Sequence, residues 1–221
     1  MVKLYIVRHC ESLGNEMNIF QGTTDLDIST FGEKQLSFLE ARFKDIHIDK
    51  AYSSPLTRAY KTALAATKGK NIEIVKDESF IEIHAGKIEN ENIEKVFALD
   101  PILADIWHNR PQDFKADCGE AMREVYNRVW KGFEKIATSP ENDRKTILIA
   151  SHGAAIRCLI CRLLFGSIER LAETPWSLNT AVSLITYCDG VYKIEFANDA
   201  SHLPKEYNRN KLRILSVKNE E

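Results

Sequence analysis

The 221-residue sequence predicts an α/β protein: a three-layer α/β/α fold in which helices cover both faces of a mixed, mostly parallel central sheet. Short apolar segments alternate with helical patterns along the chain, and two of them, 3–7 and 146–150, are almost wholly apolar, as strands buried on both faces are. The length suits one large domain over 1–221 better than two small ones, and no repeat or linker divides it.

The first strand, over residues 3–7, ends at Arg8 and His9. A helix is predicted after Ser29 or Thr30, because either hydroxyl can cap the free N–H groups of a first helical turn. Its inward face is formed by apolar residues: Phe31, Leu36, Leu39 and Phe43.

Two short strands and a second helix are predicted next. A brief strand over 50–53 leads into Ser54 and Pro55, and a cap residue followed by proline predicts that a helix begins at Pro55. Residues 71–75 alternate between apolar and polar side chains and therefore predict another strand.

A long helical pattern over 92–138 predicts a helical, cap-like region at about 91–139. Asp117 and Glu120 have the spacing of a capping box, which predicts the start of its last helix. The inward stripe of that helix has helical spacing: Met122, Val125, Val129, Phe133 and Ile136.

The last third of the chain returns to the α/β pattern. A strand over 146–150 is followed by His152 and Gly153, and then by a helix over 154–165. Two further strands are joined by a sequence typical of a hairpin turn: 181–187, 192–196 and Asp189-Gly190 between them.

Composition and charge exclude several classes of partner. The net charge of −2 does not indicate nucleic acid or an anionic membrane. The apolar stretch at 154–165 contains Arg157 and Arg162, so it predicts no membrane span. The first apolar run is too short for a signal peptide, and the five cysteines lack the spacing of a disulfide framework. We therefore expect a cytoplasmic protein.

Basic side chains follow three of the predicted strands. Arg8 and His9 follow the first, Arg58 lies one turn into the helix after the second, and His152 follows the strand at 146–150. Ligands bind at the carboxyl ends of strands in open α/β sheets, so these residues are expected to converge beside a helix N-terminus. Guanidinium groups bind phosphate oxygens, and a neutral imidazole can attack phosphorus. The pattern predicts phosphoryl transfer, with arginine and histidine supplying the positive charge.

The sequence around these residues resembles a known family. Residues 8–15 read Arg-His-Cys-Glu-Ser-Leu-Gly-Asn, similar to the Arg-His-Gly-Glu-(Ser/Thr) signature of the histidine phosphatase superfamily, also called the phosphoglycerate mutase-like family. Further segments that resemble the family lie, in order, between about residues 2 and 203: 20–22, 25–29, 53–59, 80–83, 86–89, 151–153, 179–180 and 198–203.

The resemblance implies a phosphoglycerate mutase-like fold and a phosphomonoester hydrolase. His9 would carry the phosphoryl group, and Glu82 would donate a proton to the leaving oxygen, a role that requires a carboxyl group of raised pKa. The other residues implied by the resemblance bind the phosphate or the substrate: Arg8, Arg58 and His152, with Asn15, Gln21, Gly22 and Gly153. The expected partner is a small phosphorylated metabolite, and no metal or other cofactor is expected.

Two alternatives to a phosphatase remain. A cofactor-dependent phosphoglycerate mutase of this family has a longer insertion than 89–138 provides, and its Gly-Trp-x-Asp pattern is replaced here by 22–25, so a phosphatase is preferred. A catalytically silent member that binds a phosphorylated ligand or a partner protein is signalled by loss of a key residue, and none is lost. A homodimer and the identity of the substrate stay open.

The sequence departs from the family pattern at a few positions. Cys10 replaces the usual glycine and is expected to point away from the phosphate. Substrate choice is expected to depend on residues 91–118, where Arg110 and Lys115 are candidates for contact with an anionic substrate, although solvated surface charges are favoured.

Overall fold

Six strands form one mixed sheet in the computed structural model, which describes residues 1–207. In chain order they are β1 Val2–Arg8, β2 Lys50–Ser53, β3 Ile74–Lys76, β4 Thr146–Ser151, β5 Val182–Cys188 and β6 Val191–Asp199. Their spatial order is β3-β2-β4-β1-β5-β6, in which the first four are parallel and the β5–β6 hairpin is antiparallel. The predicted mixed, mostly parallel sheet is confirmed.

Helices cover both faces of this sheet. Within residues 1–207 the α-helices are α1 Leu13–Glu16, α2 Thr30–Phe43, α3 Thr57–Ala66, α4 Ile93–Leu99, α5 Pro101–Asn109, α6 Met122–Ala137 and α7 Gly153–Phe165. Leu4 and Ile6 of β1 lie in one core with α6 and α7, whereas Tyr5 and Val7 pack into another core with α2 and α3. The alternation of side chains along β1 therefore builds the predicted three-layer fold.

Helix α2 begins as predicted. The Ser29 hydroxyl accepts the N–H of Gly32 at 3.0 Å and thereby caps the helix. Leu39 is fully buried, whereas Phe31 and Leu36 are only half-buried.

The prediction that α3 begins at Pro55 is wrong, because the helix begins at Thr57. Asp25 caps it from another loop: its Oδ1 accepts the N–H of Thr57 at 2.7 Å. The Ser54 hydroxyl, which was expected to cap the helix, lies 2.7 Å from Nε2 of His152. A long-range contact has replaced the local cap.

The predicted apolar stripe of α6 is confirmed and fully buried: Met122, Val125, Val129, Phe133 and Ile136. The capping box predicted at Asp117 and Glu120 is wrong. Oε2 of Glu124 instead accepts the N–H of Ala121 at 2.7 Å, while Asp117 pairs with Lys87.

The continuous helical pattern predicted over 92–138 is broken into separate pieces. Asp100 ends α4, Pro101 starts α5, and a 3₁₀ turn and an irregular loop precede α6. Helix α6 packs into the main core, and α4 forms a smaller cluster around Phe20 and Phe97. Helix α5 packs against both clusters, so it joins the smaller one to the main core.

Several strand boundaries differ from the prediction by one to three residues. Strand β3 covers Ile74–Lys76 rather than 71–75, because Asn71 has a left-handed backbone with φ of 51° and β2 offers partners only to 74–76. The β5–β6 turn is as predicted, with positive φ at both Asp189 and Gly190. Among the described helices, none has both the length and the apolar composition needed to cross a membrane.

Candidate active site

Strand register brings the two predicted histidines together. Arg8 at the end of β1 is paired with Ser151 at the end of β4, so the next residues, His9 and His152, are neighbours. Their ring centroids are 5.1 Å apart. Strand β2 lies on the other side of β4 and leads to Ser54, which contacts His152. The rim of the sheet therefore gathers residues that are far apart in the sequence.

The His9 ring is fixed in one orientation. Its Nδ1 lies 2.6 Å from the carbonyl oxygen of Cys10, so Nδ1 carries a proton and donates it to that oxygen. Burial, followed by the charges of Arg58 and Arg8, lowers the pKa of His9 well below its usual value. The ring is therefore neutral, and Nε2 has a free lone pair.

Backbone carbonyl groups hold the two arginines. Arg8 donates to the carbonyl oxygen of Ser177, and Arg58 donates to those of Thr24 and Gly22 at 2.9 and 2.7 Å. Burial lowers the pKa of each arginine to about 10, so both remain charged at neutral pH. Both Nε atoms are buried and lack a hydrogen-bond partner within residues 1–207. The site is thus rich in unused positive charge.

His152 lies behind His9 and does not line the cavity. Its ring is fully buried, with Nε2 at Ser54 Oγ and Nδ1 unpartnered among the described residues. Burial, then the charge of Arg58, lowers its pKa well below the usual value. A neutral ring of this kind can donate from Nδ1 if the Ser54 hydroxyl donates to Nε2.

The Glu82 carboxylate lines the same cavity at the start of α7. It accepts the N–H groups of Ile83, Ala154 and Ala155 at 2.9, 3.1 and 3.2 Å. Its negative charge also raises the pKa of Arg8. The carboxyl group therefore lies beside both arginines and the helix terminus, close to where a phosphate would bind.

A clamp on α6 holds the backbone that carries Glu82. Arg128 donates to the carbonyl oxygens of Ser79, Ile81 and Glu82 at 3.1, 2.7 and 3.0 Å, and its other N–H groups bind the Glu120 carboxylate at 2.7 and 2.9 Å. Sequence reasoning missed this clamp, because an arginine beside an apolar stripe is usually solvated and its carbonyl partners leave no sequence signal.

A second clamp holds the loop that binds Arg58. The Glu89 carboxylate accepts the N–H groups of Thr23, Thr24 and Ala85 at 2.8, 2.9 and 3.0 Å. Burial opposes its ionisation, but these bonds and those from the threonine hydroxyls lower the pKa of Glu89. Gly22 has φ of +48°, and a Cβ there would lie 2.3 Å from Glu89. The loop therefore presents its carbonyl groups to Arg58.

These residues surround one open cavity. Four of the five predicted catalytic residues line it, and so do all four predicted substrate-binding residues: Arg8, His9, Arg58 and Glu82, with Asn15, Gln21, Gly22 and Gly153. His152 does not line it. The remaining lining residues are Ile19, Phe20, Ile83, Ala85, Ile93, Trp107, Ala154 and Trp176.

Other candidate residues lie outside this cavity. Arg110 is half exposed and pairs with Asp105 at 3.1 Å, and Lys115 is exposed. Cys10 is fully buried, and a Cβ on Gly32 would lie 3.3 Å from its Sγ. Within residues 1–207, no three His, Cys, Asp or Glu side chains are grouped closely enough to hold a metal ion together.

Comparisons with known proteins point to one family. The family model described as "Histidine phosphatase superfamily (branch 1)" matches residues 4–200. "Phosphoserine phosphatase 1" of Hydrogenobacter thermophilus is 38% identical over 189 residues, which cover 84% of this chain and 86% of that protein. "Probable phosphoglycerate mutase GpmB" of Escherichia coli is 29% identical over 209 residues, covering 92% and 95%. The solved structure of Bacillus stearothermophilus YhfR has a TM-score of 0.85 and 26% identity, and covers 91% of this chain and 99% of that one.

Proposed function

The chain belongs to the histidine phosphatase superfamily, and from that premise we propose that it hydrolyses phosphomonoesters through a covalent phosphohistidine on His9. The observation that carries this proposal is the state of His9. Its Nδ1–H is bound to a backbone carbonyl, its ring is neutral, and its free Nε2 lies in a cavity flanked by Arg8 and Arg58. A nucleophile and the charges that bind a phosphate therefore share one cavity.

The first step transfers the phosphoryl group to the enzyme. The unused N–H groups of Arg8 and Arg58 bind the phosphate oxygens, and Nε2 of His9 attacks phosphorus opposite the leaving oxygen. The N–P bond forms as the ester P–O bond breaks, and protonated Glu82 gives its proton to the leaving oxygen. The products are the alcohol and phosphohistidine, which keeps its Nδ1 proton.

The second step releases phosphate. The Glu82 carboxylate left by the first step accepts a proton from water as the water oxygen attacks phosphorus and the N–P bond breaks. Inorganic phosphate and neutral His9 result, and Glu82 is protonated again. His152 supports the site from behind His9, where its buried neutral ring packs beside the His9 ring and is held by Ser54 at Nε2.

The compartment and substrate size belong to the same proposal. All five cysteines are free, which suits the reducing cytoplasm. A small phosphorylated metabolite is the proposed substrate, with its phosphate bound by the two arginines that line the cavity.

Turnover of 4-nitrophenyl phosphate tests the proposal. His9→Ala is expected to lower kcat by at least about a thousandfold, because the nucleophile is lost. His47→Ala, at a histidine whose side chain is 81% exposed, is the matched control and should keep full activity. If the His9→Ala variant unfolds at the same temperature as the wild type and hydrolyses 4-nitrophenyl phosphate at the same rate, the role of His9 is refuted.

A further inference from the structure

Part of the cavity is lined by apolar side chains, which form an apolar wall. It comes from the loop after α1, the segment after Glu82, the start of α4, the end of α5 and the segment before β5, where Trp176 lies beside Gly153 and Arg8. The side chains that form it are Ile19, Phe20, Ala85, Ile93, Trp107 and Trp176. Since the phosphate end is occupied by Arg8, His9 and Arg58, the leaving group of a bound phosphomonoester must lie against this wall.

Aromatic packing holds the wall in place. Trp107 stacks on Trp176 with ring centroids 5.4 Å apart, and its edges meet Phe20 and Phe114 at centroid distances of 5.3 and 4.7 Å. The guanidinium of Arg157 lies over the Trp176 ring at 4.6 Å, but its Nε–H donates to the carbonyl oxygen of Thr174 at 2.7 Å. The wall is therefore preformed, and Arg157 is behind it rather than in the cavity.

The wall offers no positive charge to a substrate. Of the described residues that line the cavity, only Arg8 and Arg58 are basic, and both belong to the phosphate end. Glu82 is the acidic residue among them and stands where the leaving oxygen must be. A carboxylate on the leaving group would face apolar side chains with no cation beside them, and an unpaired charge in such a place is strongly disfavoured.

From this arrangement, and resting on the function proposed above, we propose that the apolar wall is a leaving-group site for uncharged apolar alcohols. The preferred substrates are aryl, arylalkyl or alkyl phosphomonoesters of about the size of benzyl phosphate. Phosphoserine and the phosphoglycerates, which place a carboxylate on the leaving group, are disfavoured. This differs from the substrates in the names of the two relatives.

A substrate series tests the proposal directly. The kcat/KM of the wild-type enzyme is measured for ethyl, butyl and benzyl phosphate and for phosphoserine and 3-phosphoglycerate, all esters of alkyl alcohols. Burial of the added apolar surface should raise kcat/KM from ethyl to benzyl phosphate by about tenfold or more. Benzyl phosphate should exceed both carboxylate-bearing esters by about a hundredfold.

A charge introduced into the wall provides the reciprocal test. Ile93 is half-buried at the first residue of α4, so Ile93→Arg places a cation on the leaving-group side. It should raise kcat/KM for 3-phosphoglycerate by about tenfold and lower it for benzyl phosphate. Leu99→Arg is the matched control, because Leu99 is 77% exposed at the other end of α4 and outside the cavity.

The outcomes separate the two proposals. Equal kcat/KM values across the series, or a preference for phosphoserine or 3-phosphoglycerate, would overturn the apolar site and leave the phosphatase function intact. Equal effects of Ile93→Arg and Leu99→Arg would also overturn it. Failure to hydrolyse any of the esters, 4-nitrophenyl phosphate included, would overturn the proposed function and this inference with it.

Discussion

The two walls of the cavity are built in different ways. On the phosphate wall, Arg8 and His9 lie at the end of β1, Arg58 lies in the first turn of α3, and backbone carbonyl groups fix each side chain. On the leaving-group wall, apolar side chains from loops and short helices pack against one another. Strand register brings the first wall together, whereas side-chain packing and backbone hydrogen bonds between residues 18–20 and 90–93 fix the second. In the proposed function, the residues at the rim of the sheet carry the chemistry, and the residues of the second wall select the leaving group.

The cost of burial also differs between the walls. Burying a guanidinium is unfavourable unless its N–H groups are paired. Arg58 is only 1% exposed. Its two terminal nitrogens donate to backbone carbonyl groups, but its Nε has no partner within residues 1–207. A bound phosphate accepts the hydrogen bond that Nε of Arg58 lacks. The phosphate wall is therefore stabilised more by its ligand than the apolar wall, whose side chains already pack against one another.

The largest effect is expected on the phosphate wall. Arg58→Ala should lower kcat/KM for every phosphomonoester by about 10²–10³, because a preorganised charged donor to the transferring group is lost. Steady-state kinetics on 4-nitrophenyl and benzyl phosphate check this, and the loss should be similar for both. A loss of activity confined to benzyl phosphate would indicate that Arg58 acts on the leaving group and would contradict its role in binding the phosphate.

The next largest effect is expected at Glu82, which lies between the phosphate wall and the leaving-group wall. Glu82→Gln removes the proton donor, so kcat for benzyl phosphate should fall by about 10²-fold or more. The loss of phosphoryl transfer from 4-nitrophenyl phosphate should be much smaller, because nitrophenolate leaves without a proton. Single-turnover rates isolate that step. Equal losses on both esters would contradict the role of Glu82 as an acid.

A smaller loss of the same kind is expected from the clamp on α6. Arg128→Met should lower the single-turnover rate of phosphoryl transfer from benzyl phosphate by about tenfold and largely spare transfer from 4-nitrophenyl phosphate, since Arg128 acts by positioning the Glu82 backbone. Arg123→Met is the matched control, because Arg123 lies on the same helix and pairs with Glu169 at the surface. Loss of stability without this leaving-group dependence would show that the clamp is only structural.

The smallest expected effect is on the stability of the fold rather than on turnover. Burial holds the pKa of His9 and His152 well below 6.5 in the folded protein, so the unfolded chain binds more protons as the pH falls. The histidine contribution to the free energy of unfolding is therefore present above about pH 6.5 and is lost below it. His9→Gln should reduce the slope between pH 6 and 5 by up to about 1.4 kcal/mol per pH unit.

Urea titrations at several pH values measure that slope. The exposed His47→Gln variant is the matched control. A slope unchanged by His9→Gln would show that His9 is not held neutral by the fold.

The sequence predicted one wall far better than the other. The strand ends at Arg8, His9 and His152 were predictable because parallel strands of apolar residues bring their carboxyl ends to one rim. The start of α3 was not, because its cap comes from Asp25 in a distant loop. Local cap patterns cannot reveal such a partner.

The leaving-group wall was not predictable for a related reason. Trp107 has the spacing of an ordinary helical residue, and nothing near it in the sequence indicates that it stacks on Trp176. The same holds for Arg128, whose partners are backbone carbonyl groups. Positions of this kind are decided by tertiary packing, which a single sequence does not show.

The most direct test of the central claim is to trap the covalent intermediate. Wild-type enzyme and His9→Gln are mixed with ³²P-labelled phosphomonoester, quenched in alkali within milliseconds, digested and mapped by mass spectrometry. The account predicts a base-stable, acid-labile phosphoryl group on Nε2 of His9 in the wild-type protein and none in the variant. Label on another residue, or an active enzyme that forms no phosphohistidine under single-turnover conditions, would contradict it.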